Sequence, residues 1–203
     1  MMGKCKRMAL LVCLCVLFLA GCGEVKVPDV VNSPAVAVDK EGGITVWQIG
    51  DFDKAYYDVS ELTTMAVEEV KDYNAASGKE AAVSVEKVET LQDDSGKVAV
   101  VYRFDGWESC ADFGENKIFY GTVGEAVEKG FGEDVIMKNL KDNTILTEDE
   151  LAAAADRYLI ITDIRADIYC PRKVTHISDG AVENADGSIS SAGTEGLVYI
   201  LLK

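Results

Sequence analysis

The stretch Val83–Phe104, VSVEKVETLQDDSGKVAVVYRF, decides how the rest of the chain is read. In its second half Val98, Val100, Tyr102 and Phe104 alternate strictly with Ala99, Val101 and Arg103. That period of two sends successive side chains to opposite faces of a sheet. In its first half Val83 and Val85 keep step and Val88 falls out of step, a slip that a β-bulge absorbs. Asp93-Asp94-Ser95-Gly96 supplies the turn between the halves. Strands joined this tightly pair antiparallel, because parallel neighbours need a crossover of roughly a dozen residues or more.

Working outward, the same chemistry recurs. On the N-terminal side Leu62, Met65, Ala66, Val70 and Tyr73 lie at helical spacing, which predicts an amphipathic helix over about 60–75. Ser60 reads as its N-cap with Glu61 in the first turn, and Asn74 and Ser77-Gly78 as its end. Before it, Val36 and Val38 lead through Asp39-Lys40-Glu41-Gly42-Gly43 to Ile44, Val46 and Trp47, a hairpin by composition. On the C-terminal side Gly106–Phe113 reads as a short helix capped by Asp105, Lys117–Val123 as a strand and Glu125–Lys129 as a helical turn. Thr147 and Glu150 form a capping-box pattern ahead of a helix through Ala155. Tyr158–Ile164, Ile168–Cys170, Val174–Ile177, Ala181–Asn184, Ile189 and Leu197–Leu202 read as strands, with Ala185–Ser188 as a hairpin turn. Leu197–Leu202 is apolar on both faces, as in an inner strand. The expected class is α+β: mainly antiparallel β-sheet, one well-defined amphipathic helix and short additional helices. Residues 35–203 show no internal repeat or linker-like break and are expected to form one globular domain.

Chemistry is sparse. The chain has one histidine, His176, so a histidine-based zinc site or dyad lacks material. No Gly-x-Ser-x-Gly elbow supplies a nucleophile for a triad. Asn184–Ile189 and Asp51-Phe52-Asp53 echo calcium loops but lack the acids an EF-hand requires, so both read as turns. No phosphate-cradling Gly-x-x-x-x-Gly-Lys run occurs. Trp47, Tyr56, Tyr57, Trp107 and Tyr120 are candidates for a sugar- or peptide-stacking surface, although aromatic residues on strands are more often core. Cys110 and Cys170 either bridge or pack as small buried hydrophobes. No catalytic residue, cofactor or metal ligand is assigned.

The N-terminus carries the one sharp motif. Lys4, Lys6 and Arg7 precede Met8–Ala20, which is uncharged and closes on Leu19-Ala20-Gly21-Cys22. A basic start, an apolar run and small residues define an export signal. The run is too short for a spanning helix of roughly 20 apolar residues. The tetrapeptide resembles the lipobox of bacterial lipoprotein precursors. That resemblance implies cleavage before Cys22, a diacylglyceryl group on the Cys22 sulfur, and durable attachment through two acyl chains. It divides the chain into a signal peptide (1–21), a lipidated tether (22–34) and the domain, and sets the location as the extracytoplasmic face of the cell membrane. Cys5, Cys13 and Cys15 fall in the removed segment. Loss of three cations would take the net charge from −15 to −18. Such acidity opposes nucleic-acid binding and suits solubility in the envelope.

A wider resemblance joins the lipobox to Phe52-Asp53-Lys54-x-Tyr56-Tyr57-Asp58, Tyr73-Asn74, Phe119-Tyr120-Gly121-Thr122-Val123 and Gly196-Leu197-Val198-Tyr199-Ile200. Together these look like small lipoproteins of Gram-positive, clostridial-type anaerobes, a group that implies an envelope address and no activity. The first expectation is a non-enzymatic binding or interaction module with a protein or glycan partner. An envelope-associated carboxylate-dependent hydrolase, which needs two facing carboxylates in a cleft, is the alternative. A structural accessory of a membrane complex is the third reading.

Overall fold

The computed structural model describes residues 25–92, 95–131 and 135–203. The predicted hairpin forms from β1 (Ala35–Val38) and β2 (Ile44–Asp51), followed by α1 (Val59–Ser77). The stretch that decided the reading becomes β3 (Val83–Thr90) and β4 (Lys97–Phe104), then α2 (Trp107–Gly114), β5 (Ile118–Thr122) and α3 (Val123–Glu128). Two short strands follow, β6 (Met137–Asn139) and β7 (Ile145–Leu146), and then α4 (Glu148–Ala152). The C-terminal part is all strand: β8 (Tyr158–Thr162), β9 (Asp167–Tyr169), β10 (Val174–Ser178), β11 (Val182–Glu183), β12 (Ile189–Ser190) and β13 (Val198–Leu202). The fold is α+β with mainly antiparallel sheet, as the alternating runs predict.

The strands divide into two sheets, ordered β11-β12-β9-β1-β2-β4-β3 and β5-β8-β13-β10-β6-β7. β13 is an inner strand between β8 and β10, which accounts for its apolar residues on both faces. Among the described residues one pair is parallel: Ala35–Ala37 of β1 runs beside Asp167–Tyr169 of β9. Short-connection reasoning cannot anticipate it, because these strands are joined through most of the chain. The main core lies between the sheets. Val36, Val38, Ile44, Val46, Val100, Tyr102, Phe104, Ile168 and Ile189 of the first sheet pack with Ile118, Tyr120, Ile160, Val198, Ile200 and Leu202 of the second. On its other face the second sheet buries Phe119, Leu159, Ile161 and Leu201 beneath Val123 and Ala126 of α3, with Trp107 and Phe131 alongside.

Local details correct three expectations. The N-cap of α1 is Asp58, not Ser60: Asp58 is extended and its carboxylate accepts from the N–H groups of Ser60 and Glu61. α1 ends at Ser77 with a left-handed Gly78 (φ 69°), as the Ser77-Gly78 stop predicts, but Asn74, read with it as a stop, lies inside the helix, and its side chain is spent elsewhere. Its Nδ2 donates to Val83 O at 2.8 Å and its Oδ1 accepts from Val83 N at 3.1 Å. One amide thus fastens α1 to the start of β3. Asp105 does not cap α2, whose N-cap is Gly106; it pairs with Lys79 at 3.0 Å. The parity slip in β3 is a bulge between Val85 and Lys87, which leaves Val85 and Val88 both against the main core. The capping box at Thr147 and Glu150 forms as predicted.

The described residues ahead of β1 also join the fold. Val25, Val27 and Val31 pack with Trp47 against Ala35, Ala37 and Tyr169 on the outer face of the first sheet.

A candidate anion-binding groove around His176

β10 carries a second bulge, and it builds a polar junction in the second sheet. Val174 pairs with Leu202 and His176 with Leu201, so Thr175 is the extra residue. A bulge re-aims side chains at a sheet margin. Here it brings Thr175 against Arg157 and His176 together. The Thr175 hydroxyl donates to Leu201 O at 3.0 Å. With its hydrogen used, its lone pairs accept from Arg157 Nη2 and from His176 Nδ1 at 3.0 Å. Arg157 Nε donates to Leu202 O at 2.9 Å. On the other side of the ring, His176 Nε2 lies 3.4 Å from Asn139 Nδ2. Asn139 Oδ1 accepts from Lys141 N at 2.9 Å, which leaves its amide N–H to donate to the imidazole. The network therefore specifies a neutral ring protonated on Nδ1.

Electrostatics agree with that tautomer. Burial pushes the His176 pKa down from 6.5, and the Arg157 charge pushes it further; Asp142 and Glu150 oppose both. Those two carboxylates are engaged in their own turns. Asp142 accepts from the Thr144 N–H and hydroxyl at 3.0 and 2.7 Å. Glu150 accepts from the Thr147 N–H and hydroxyl, both at 2.9 Å.

The network borders an open groove of about 690 Å³. Lys141, Arg157, Lys173 and Lys203 line it with His176, and the one acidic side chain on the lining is Glu183. The chain as a whole has 20 basic and 35 acidic residues, so the groove inverts the overall charge balance. It is also the reverse of the two facing carboxylates that glycoside hydrolysis needs.

His176, which falls within the strand read over Val174–Ile177, lies in β10 and is buried. The cluster around it was missed because its members come from five separate segments. Only the closeness of Lys173 to His176 along the chain hinted at it. The other candidates separate. Tyr56 is 77% exposed and Tyr57 43%, with Tyr57 stacked on Phe52 at 4.9 Å. Trp47 lies under the N-terminal segment, Trp107 packs on Phe119 at 5.3 Å, and Tyr120 stacks inside on Tyr158. They form no common surface. Asp186 holds its own turn, accepting from Ser188 N at 3.0 Å and Ser188 Oγ at 2.7 Å. Cys110 and Cys170 are both free thiols, pushed up to about 12 by burial. Among the described residues no group of three or more His, Cys, Asp or Glu is placed to hold a metal ion. Cys22 lies outside the described residues.

No protein-family model, no curated protein and no solved structure matches the chain.

Proposed function

We propose that this chain is a lipid-anchored protein of the extracytoplasmic face of the cell membrane, held by a diacylglyceryl group on Cys22, whose folded part is a non-enzymatic binding module. The observation that carries the anchor is Leu19-Ala20-Gly21-Cys22 closing an uncharged run behind three cations. Two acyl chains hold a protein stably where one does not. Among the described residues no helix is long and apolar enough to cross a membrane. Val25, which packs on the first sheet, follows Cys22 by three residues, a span of at most ~10 Å when extended. An anchored chain would therefore ride close to the bilayer rather than on a long leash. The binding half of the reading is supported by the groove around His176, a concave surface lined by cations.

Replacement of Cys22 by Ala tests the anchor. Metabolic labelling with a radioactive fatty acid should mark the parent chain and not the variant, and the variant should leave the membrane fraction. Undiminished acyl labelling or membrane retention of the variant would remove the proposal.

A further inference from the structure

We infer that the groove beside His176 binds a phosphate group, borne by a small phosphate ester or by an anionic lipid headgroup. The inference rests on the binding half of the reading above and is independent of the anchor at Cys22. Its first support is a like-charge pair built into the sheet. Val174 lies opposite Leu202 in the antiparallel ladder, and Lys203 N donates to Lys173 O at 2.9 Å. Lys173 and Lys203 are therefore direct cross-strand neighbours, and both line the groove. Like charges in that position destabilise a sheet. Neither ammonium has an ion pair among the described residues. An anion between them converts repulsion into attraction.

The second support is the state of the remaining groups. Lys141 adds a third exposed ammonium. Arg157 supplies charge from behind, but its Nε and Nη2 are spent on Leu202 O and Thr175 Oγ1. It cannot present that edge of its guanidinium as a fork to a planar carboxylate. Recognition by several point charges suits a compact, multiply charged tetrahedral anion, and lysine binds phosphate in that way. Asp142 and Glu150, the acids whose charges reach His176, are held in their own turns, and Glu183 is the one acidic side chain on the lining.

The lone histidine makes the test direct, because it gives one imidazole signal per chain. The full chain in nonionic detergent micelles is titrated at pH 7.5 with inorganic phosphate, with sodium chloride of equal ionic strength, and with phosphatidylglycerol or phosphatidylcholine incorporated into the micelles. A saturable shift of the His176 resonance with phosphate, absent with chloride, supports the site. A shift with phosphatidylglycerol-containing micelles alone assigns it to a headgroup. Lys173→Glu should weaken binding by at least about tenfold without lowering the thermal midpoint, because it turns the opposed lysines into an ion pair. Absence of a shift in the phosphate and phosphatidylglycerol arms, an equal response to chloride, or unchanged affinity in Lys173→Glu overturns the inference. These outcomes leave the Cys22 experiment untouched, so the two failures are distinguishable.

Discussion

Thr175→Val removes the hydroxyl on which the junction of β10, β13 and the Arg157 segment converges. Valine keeps the shape and the strand preference, so the loss is one of hydrogen bonds. The hydroxyl donates to Leu201 O and accepts from His176 Nδ1 and Arg157 Nη2, which uses its full capacity. A neutral hydrogen bond contributes about 0.5–1.5 kcal/mol net, and one to a charged group about 1.5–3. The site opens on a groove, so water recovers part of this, and the sum falls to about 2–3 kcal/mol. At ~2–4 °C per kcal/mol for a chain of this size, the thermal midpoint drops by about 4–12 °C. Circular dichroism melts and urea titrations measure it. Thr175→Ser keeps the hydroxyl and loses one methyl, so it should cost only about 1 kcal/mol. A Thr175→Val chain as stable as Thr175→Ser would refute the convergence. So would nitrogen chemical shifts showing the wild-type ring protonated on Nε2 instead of Nδ1.

How far the sequence carried varies with the range of the interaction. The β3–β4 pair was legible down to its bulge, because alternation and its interruption are local. The hairpin before α1 and the capping box at Thr147 were legible for the same reason. The N-cap of α1 was misplaced by two residues, since Asp58 and Ser60 are both good caps and only backbone geometry separates them. β6 and β7, at three and two residues, are too short to show a period. Asn74 reads from the sequence as a helix stop, while its partner Val83 N–H and C=O become visible only once β3 is in place. The division into two sheets and the β1–β9 pairing are set by which faces meet across the core, which periodicity does not record. The groove was the least legible feature. It needs a lysine after β13, another before β10, a third between β6 and β7 and an arginine ahead of β8, and no local pattern announces their meeting.

Two further changes probe the same scaffold. Asn74→Ala removes both bonds to Val83, about 2 kcal/mol together, offset by about 0.6 from better helix propensity. A net loss near 1.5 kcal/mol should appear in urea unfolding, and a variant at least as stable as the parent would show that the amide does not fasten α1 to β3. The second concerns pH. Burial first, and then Arg157, lower the His176 pKa below 6.5 against Asp142 and Glu150. Between the ordinary value and the lowered one, the unfolded chain binds a proton that the native chain refuses. The contribution of His176 to stability is therefore complete above about pH 6.5 and is lost as pH falls through the native pKa. His176→Gln cannot titrate, so its stability should decline less steeply across that interval than the parent's. Parallel curves for the two proteins, from urea titrations at closely spaced pH, would mean that the imidazole is not held neutral by its surroundings.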